Sequence, residues 1–330
     1  MSVTIRDVAA EASVSATTVS RVFNHDHLVN PETRKRVLRA ARRMGYTPNA
    51  TAQSLSSGRT RSIGVILPAP HGEFFSELIR GLDEAVQEAD HYLLIASSHY
   101  NQKEGTSALH SLVGRVDGLV IMTPRVESGA LTANVDLDLP TVFINTERGE
   151  ARADLFSLEN RRGAKRAVTH LIERGRQRIG VITGPLGSRD VEGRMEGYRE
   201  ALREHGLPGG PVVEGTFTQD SGYEAGKKIA ALDERPDAVF ACNDYMAIGA
   251  MAALQEQGIR VPEEVALAGF DDIASARYAS PSLTTVRVPI YEIGRQAGAR
   301  LIERVQADAS PEPEEVTLPH DLKVRASTGG

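Results

Sequence analysis

In the stretch VSATTVSRVFN, residues 14–24, the residues Ser15, Ala16, Thr17 and Arg21 fall on one side of a short helix while Val14, Val19 and Val22 point the other way. Short polar side chains let a helix approach a DNA groove closely, and one arginine is long enough to reach a base edge or a phosphate. Elsewhere, residues able to do chemistry form few recognisable patterns. Cys242 is the single cysteine, which excludes an intramolecular disulfide and a cysteine-based metal cluster, and it reads as a small buried hydrophobe. His25 and His27 are poorly spaced for a metal and have only Asp26 as an acidic companion, so they read as loop residues near a phosphate backbone. No GxGxxG follows a strand, and Gly222 to Lys228 has the wrong spacing for a phosphate loop and no Ser or Thr after the lysines. HExxH is absent, and no GxSxG elbow follows a strand. Asp271 and Asp272, adjacent on an extended segment, point opposite ways. One carboxylate accepting hydroxyl hydrogen bonds fits them better than a catalytic pair, so the chain reads as a binding protein, not an enzyme, with no metal or cofactor.

At 330 residues, 41% hydrophobic and 25% charged, the chain is long enough for two or three domains with a sizeable core. No run of some eighteen apolar residues occurs, and MSVTIRDVAAEAS lacks the apolar centre of a signal peptide, so a cytoplasmic location is expected. The net charge of −6 conceals an asymmetry: residues 1–62 hold ten Lys/Arg against four Asp/Glu, which leaves 28 against 40 in the remainder. A basic segment attached to an acidic body points to a nucleic-acid module on a carrier domain, although TRKRVLRAARRM alone could be an ordinary solvated helix.

These residues need elements to hold them. Thr4 caps a first helix, IRDVAAEAS, with Asp7 at capping-box spacing; Ser13 to Ser15 make a turn; the second helix runs from about Ser15 to Phe23. Pro31 opens a third helix in which Val37, Leu38, Ala41 and Met44 recur at helical spacing, and Gly45 stops it. Three short helices with a tight second turn make a helix-turn-helix. Residues 50–57 are either a linker or a helix too short to be stable alone, with Leu55 as the one large apolar residue. From Ser62 onward, seven apolar strand-like runs (63–68, 91–98, 117–122, 140–145, 178–184, 238–244 and 264–271) alternate with amphipathic helices, which argues for parallel sheets in two linked α/β subdomains. Ligands of such sheets bind beyond the carboxyl ends of the strands. That rule singles out His71 to Phe75, Ser97 to Asn101, Asn145 to Glu147, Pro185 to Arg194, Asn243-Asp244 and Asp271-Asp272.

The segments TIRDVAAEASVSATTVSRVFN, VNPETRKRVLRAARRMGYTPNATAQSL and RSIGVILP resemble the headpiece, hinge and first core strand of the lac repressor (LacI/GalR) family of bacterial transcription regulators. The likeness continues through HLIERGRQRIGVITGP, PDAVFACNDYMAIGAM, VPEEVALAGFDD and SPSLTTVRVPIYEIG, and covers essentially the whole chain. It implies an all-α helix-turn-helix headpiece (1–47), a hinge helix or linker (48–60), and a two-subdomain α/β core (61–330) like a periplasmic binding protein, with parallel sheets. The N-subdomain is expected at about 61–157 and 289–320, the C-subdomain at about 158–288 and 321–330.

The resemblance also assigns roles. Ala16, Thr17 and Arg21 would read operator bases, the arginine pairing with a guanine and the alanine meeting a thymine methyl. Thr4, Ser15, Thr18, Ser20, Asn24 and Asn49 would contact phosphates. Leu55, beside Ala50, Ala52 and Gln53, would wedge into the minor groove when two hinges fold together on DNA. The partners implied are double-stranded operator DNA, a second copy of the chain, and a small-molecule effector, read as a sugar from the residues matched to its pocket: Phe74, Phe75, Phe156, Ser188, Arg189, Arg194, Phe217, Asn243 and Asp271. In that expectation Arg194 and Asn243 donate to ring hydroxyls, Asp271 accepts from them, and aromatic faces stack on the ring. Val288 stands where some sugar-responsive relatives have a polar side chain. Control by a nucleobase or a partner protein, a sugar receptor without regulatory function, and a sugar-modifying enzyme are the rival readings.

Overall fold

The computed structural model describes residues 3–24, 29–47, 59–123, 139–146, 152–307 and 311–330. By its internal contacts the chain divides into two units: Met1–Arg61 with Arg115–Asp117, and Ser62–Gly114 with Gly118–Gly330.

In the first unit, helix α1 (Ile5–Glu11) begins at a closed capping box in which the Thr4 N–H donates to Asp7 Oδ2 at 2.8 Å and the Asp7 N–H donates to Thr4 Oγ1 at 3.4 Å. Helix α2 (Ala16–Asn24) begins at Ser15, whose Oγ accepts from the Thr18 N–H at 3.1 Å. Helix α3 (Pro31–Met44) has Asn30 as its cap, Pro31 in its first turn, and Gly45 at φ 67° as its left-handed stop. Each boundary is thus set by a residue whose local hydrogen bonding or backbone freedom favours it. The three helices bury Val8, Ala9, Ala12, Val19, Val22, Val37, Ala40 and Ala41 against one another, and an Arg43–Glu11 ion pair ties α3 to α1. So small an apolar cluster leaves caps and turns to do much of the specifying.

The second unit is built on two six-stranded sheets. The first contains β1 (Ser62–Leu67), β2 (Tyr92–Ser97), β3 (Gly118–Ile121), β4 (Thr141–Ile144), β5 (Asp154–Ser157) and β11 (Glu315–Thr317), in the order β11-β5-β4-β3-β1-β2 and all parallel. Helices α4 (Glu73–Gln87), α5 (Gln102–Leu112) and α11 (Ile290–Gln306) belong with it. The second contains β6 (Ile179–Thr183), β7 (Val212–Glu214), β8 (Ala238–Ala241), β9 (Ala266–Asp271), β10 (Thr284–Arg287) and β12 (Asp321–Lys323), in the order β12-β10-β9-β8-β6-β7, with β12 antiparallel. Its helices are α6 (Asn160–Glu173), α7 (Arg189–Glu204), α8 (Gln219–Ala230), α9 (Asp244–Glu256) and α10 (Ala274–Tyr278). The chain passes between the sheets after β5, after β10 and again between β11 and β12. The seven apolar runs match β1, β2, β3, β4, β6, β8 and β9; among the described residues β5, β7, β10, β11 and β12 are three or four residues each, polar or of mixed exposure, and carry too little apolar pattern to be seen.

Helix packing in the second half depends on missing side chains. A Cβ on Gly249 would lie 2.1 Å from Gln219 O, and one on Gly222 would lie 2.2 Å from Met246 O. These glycines let α8 and α9 touch backbone to backbone, which fixes the N-terminus of α9 beside the C-terminal ends of the strands.

Candidate functional site

On α2 the side chains divide by face. Val19 and Val22 are buried, Ser15, Thr17 and Arg21 are exposed, and Ala16, Thr18 and Ser20 lie between. Phe23 backs the C-terminal end of the helix against Tyr46, with ring centroids 5.8 Å apart. Thr4 is held by Asp7, its hydroxyl donating to Oδ2 at 2.7 Å, and those bonds keep the Asp7 carboxyl below the ordinary range. Ser15 and Thr18 share a hydrogen bond of 2.9 Å at the helix start. Thr17 and Arg21 therefore stand on a face whose opposite side is fixed by the small core. Arg34, Lys35, Arg36, Arg39, Arg42 and Arg43 on α3 are all exposed. Asn49, Ala52 and Leu55, with the rest of 48–58 and the Asn24 side chain, lie outside the described residues.

In the second unit a cavity of about 410 Å³ opens at the carboxyl ends of the strands of both sheets. The first sheet's side contributes Ala69, His71, Gly72, Phe74 and Phe75 after β1, Tyr100 after β2, Met122 after β3 and Leu158 after β5. The second contributes Asp190 and Arg194 from α7, Thr216 to Gln219 after β7, Asn243 and Tyr245 at the start of α9, and Asp271 at the end of β9. Of the nine residues matched by family position, Phe74, Phe75, Arg194, Phe217, Asn243 and Asp271 meet here. Phe156 does not: it is 2% exposed inside the apolar core. Ser188 occupies the N-cap position of α7, buried, with a hydroxyl that takes no partner, and Arg189 lines a separate depression with Arg162, Lys165 and Glu200. Val288 is buried and lines a different groove.

Internal hydrogen bonds organise the polar wall. Arg194 donates from Nε to Asn160 Oδ1 at 2.8 Å, from one terminal nitrogen to the Cys242 carbonyl, and from the other to Asp271 Oδ1 at 3.4 Å, while its guanidinium lies 3.8 Å from the centre of the Phe270 ring. A guanidinium has five N–H groups, so at most two remain for a ligand. Asn243 is similarly engaged: its Oδ1 caps α9 by accepting from the Met246 N–H at 3.0 Å, and its Nδ2 donates to the Phe217 carbonyl at 3.0 Å. Both side chains are thus first of all parts of the frame, a departure from their expected role as free donors.

Asp190 Oδ1 accepts from Asn145 Nδ2 at 2.5 Å and from Asn160 Nδ2 at 2.8 Å. Burial pushes the Asp271 carboxyl up to about 7, against the pull of Arg194, and raises the Tyr100 hydroxyl to about 12, with Asp190 and Asp271 adding to the effect. Asp244, fully buried beneath the site, accepts from the Ile273 N–H at 3.0 Å and from the Thr285 hydroxyl, and burial holds its carboxyl well above the usual range. Cys242 is completely buried and its thiol is pushed up to about 12 by that burial, which makes it a packing residue.

Several residues around the cavity hold the left-handed backbone that non-glycine residues avoid: Tyr100 (φ 56°), Asn145 (φ 45°), Phe217 (φ 63°), Asp271 (φ 114°) and Asp272 (φ 57°). Such strain gathers where a ligand site over-determines the chain. At Phe217 the ring occupies the space of a missing side chain, since a Cβ on Gly184 would lie 2.3 Å from it. Asp271 and Asp272 diverge, the first into the cavity and the second onto Arg325 at 2.5 Å. Asp190, Tyr100 and His71 fall inside the segments that the strand-end rule singles out, but nothing in the sequence picks them from their neighbours. Tyr245, Thr216, Thr218 and Gln219 lie outside those segments altogether.

Two bridges join the sheets at the cavity's rim. The Glu73 N–H donates to Tyr245 Oη at 2.6 Å, and the Glu73 carboxylate accepts from the Ser275 N–H at 2.9 Å and from its hydroxyl. Asn145 to Asp190 is the other.

Residues 4–49 match the family description "Bacterial regulatory proteins, lacI family", and residues 168–328 match "Periplasmic binding protein-like domain". Over 99% of the chain, the sequence is 35% identical to catabolite control protein A of Priestia megaterium, all of which is covered. The lac repressor dimer bound to operator and the anti-inducer ONPF is similar at 27% identity and a TM-score of 0.87, with 99% of each chain covered. The transcriptional regulator CelR in complex with cellobiose is similar at 31% identity and a TM-score of 0.73, with 98% of this chain and 99% of that one covered.

Proposed function

Because the chain belongs to the lacI family of bacterial regulatory proteins, we propose that it is a repressor that binds operator DNA as a homodimer and releases or holds it according to a sugar in the core cavity. DNA-binding regulation of transcription follows from membership; the dimer, the sugar and the base-reading residues are the finer reading. Catalysis has no part in it, since the relatives are regulators of transcription.

The observation that carries this reading is the division of α2, with Thr17 and Arg21 exposed above buried Val19 and Val22. A helix anchored in that way presents a donor suited to a guanine edge in the major groove. Such a headpiece spans a half-site only, so a second copy is needed to read a paired operator. Edge strand β2 supports that partner, because Tyr92, Leu94 and Ile95 stand 69%, 39% and 42% exposed, an apolar strip that a second chain would cover. For the sugar, the support is a cavity with aromatic faces on one side and carboxylate and amide groups on the other. A similar regulator holds cellobiose, which is the further support for this class of effector; control by a nucleobase is the second reading. Effector and operator would then be coupled by differential affinity for two states of the core. The described residues include no helix long and apolar enough to cross a membrane, and the site of action in this reading is DNA in the cytoplasm.

The reading is tested by selecting operator sequences from random DNA with the wild type and with Arg21→Ala. Loss of base preference at one position in each half-site is expected, and an unchanged preference rejects α2 as the reading helix. Operator affinity is then measured with and without each sugar that binds the core; a bound sugar that leaves operator affinity unchanged rejects the coupling.

A further inference from the structure

Two carboxylates, Asp190 and Asp271, line one cavity, and Arg194 is the only permanently charged cation among the described residues of its wall. That cation is already directed at Asp271, with its Nε turned to Asn160. Asp190 receives no such charge. It is held through one oxygen by two neutral amides, Asn145 from the first sheet and Asn160 from the second. Asn160 is itself the relay, accepting from Arg194 with Oδ1 and donating to Asp190 with Nδ2. Among the described residues the second oxygen of each carboxylate takes no donor, although Asp190 is only 8% and Asp271 only 9% exposed.

Both of these oxygens reach solvent in the cavity, and a ligand that expels that water must supply a donor itself, because a carboxylate oxygen buried without one is costly. Hydroxyl groups do so. A phosphate or carboxylate cannot, and it would sit at low dielectric beside one carboxylate whose charge has no direct counter-ion. The aromatic faces of Phe74, Phe75 and Phe217 complete a wall suited to an uncharged ring.

We propose that Asp190 and Asp271 together make the cavity selective for an uncharged, unphosphorylated polyhydroxy ligand, and that Asp190 is the residue that rejects the phosphorylated form. This rests on the reading of the cavity as a sugar site. It adds a sign to that reading: among sugars, the anionic ones are excluded. Asp190→Asn would keep an oxygen to accept from Asn145 and Asn160 while replacing the free acceptor with an amide donor, so the substitution reverses the discriminating group with little change in shape.

The experiment is calorimetric titration of the full-length protein with glucose, ribose and cellobiose, and with glucose 6-phosphate and ribose 5-phosphate as matched anions, all at one ionic strength. Wild type is expected to bind at least one neutral sugar and to bind its phosphate at least about tenfold more weakly, the size of effect that one unfavourable buried charge contact produces. Asp190→Asn is expected to narrow that ratio to below about threefold, with Asp190→Ser, which is smaller and also neutral, doing the same should the amide disturb folding. Equal or tighter binding of the phosphate by wild type overturns the proposal without any variant. A ratio unchanged in both folded variants also overturns it, by removing Asp190 as the discriminator. If neither neutral sugars nor phosphates bind, the sugar reading falls and this inference with it, which is a different result from a phosphate that binds well.

Discussion

His71, Phe74, Phe75, Tyr100 and Met122 come to the cavity from the first sheet, and Asp190, Arg194, Asn243 and Asp271 from the second. The second set is knitted together before any ligand arrives: arginine to asparagine, carbonyl and carboxylate, asparagine to helix end and carbonyl. The first set makes van der Waals and ring contacts, such as Phe74 edge-on to Phe75 at 5.4 Å, and is joined to the second at the rim through Glu73 and through Asn145. One side is a rigid polar frame and the other an apolar cover. In such an arrangement frame mutations should cost stability first, and cover mutations should cost ligand affinity first.

Arg194→Met gives the sharpest test. It strips the counter-charge from buried Asp271 and the donors from Asn160 Oδ1 and the Cys242 carbonyl, and the expected loss in urea unfolding is about 3–5 kcal/mol near neutral pH. A loss below about 1 kcal/mol would show that the frame is not held by this residue. Phe75→Ala should behave in the opposite way. The ring is half-buried, so a stability cost of about 1–2 kcal/mol is expected by denaturant titration, while affinity for a bound sugar falls at least about tenfold. Equal effects on both quantities would erase the distinction between frame and cover.

The frame should also respond to pH. Asp271 is raised to about 7 in the folded protein against 3.8 for the ordinary side chain, and Asp244 is raised as well. The folded state therefore holds protons that the unfolded state has given up, and the contribution of these groups is most favourable below about pH 4 and is lost as pH rises through about 7. Melting temperature compared between about pH 5 and about pH 8 should show a downward component that flattens in Asp271→Asn; an identical slope in the variant would refute it. The smallest effect is expected for Glu73→Gln. The partly exposed carboxylate is worth at most about 1 kcal/mol to closure of the rim, so ligand affinity should change by no more than about fivefold with unfolding nearly unaltered.

Legibility in the sequence followed the range of the interactions. The Thr4–Asp7 box, the Pro31 start and the Gly45 stop each act within about one helical turn, and so the three headpiece helices and the exposed face of α2 are readable from spacing alone. The alternation of buried strands with helices is readable for the same reason, as is the rule that sends ligands to strand ends. Strands β5, β7, β10, β11 and β12 escape notice because they are three or four residues long, lie at or beside sheet edges, and carry polar residues among their few side chains. Within the cavity, family position brought Arg194, Asn243 and Asp271 into view but not the internal hydrogen bonds that Arg194 and Asn243 make, and it included Phe156, whose ring lies in the core.

By itself, then, the sequence determined a basic helix-turn-helix, an acidic α/β body and the strand ends at which a site could form, because these depend on periodicity, capping and charge over a few residues. Only the tertiary structure decided that Asp190 would stand in the same wall as Asp271, 81 residues further along, with Asn145 and Asn160 on its one oxygen and no described donor on the other. Its hydrogen-bond partners come from different sheets, and which of its oxygens receive a donor depends on how those sheets meet, a long-range property that no local spacing encodes.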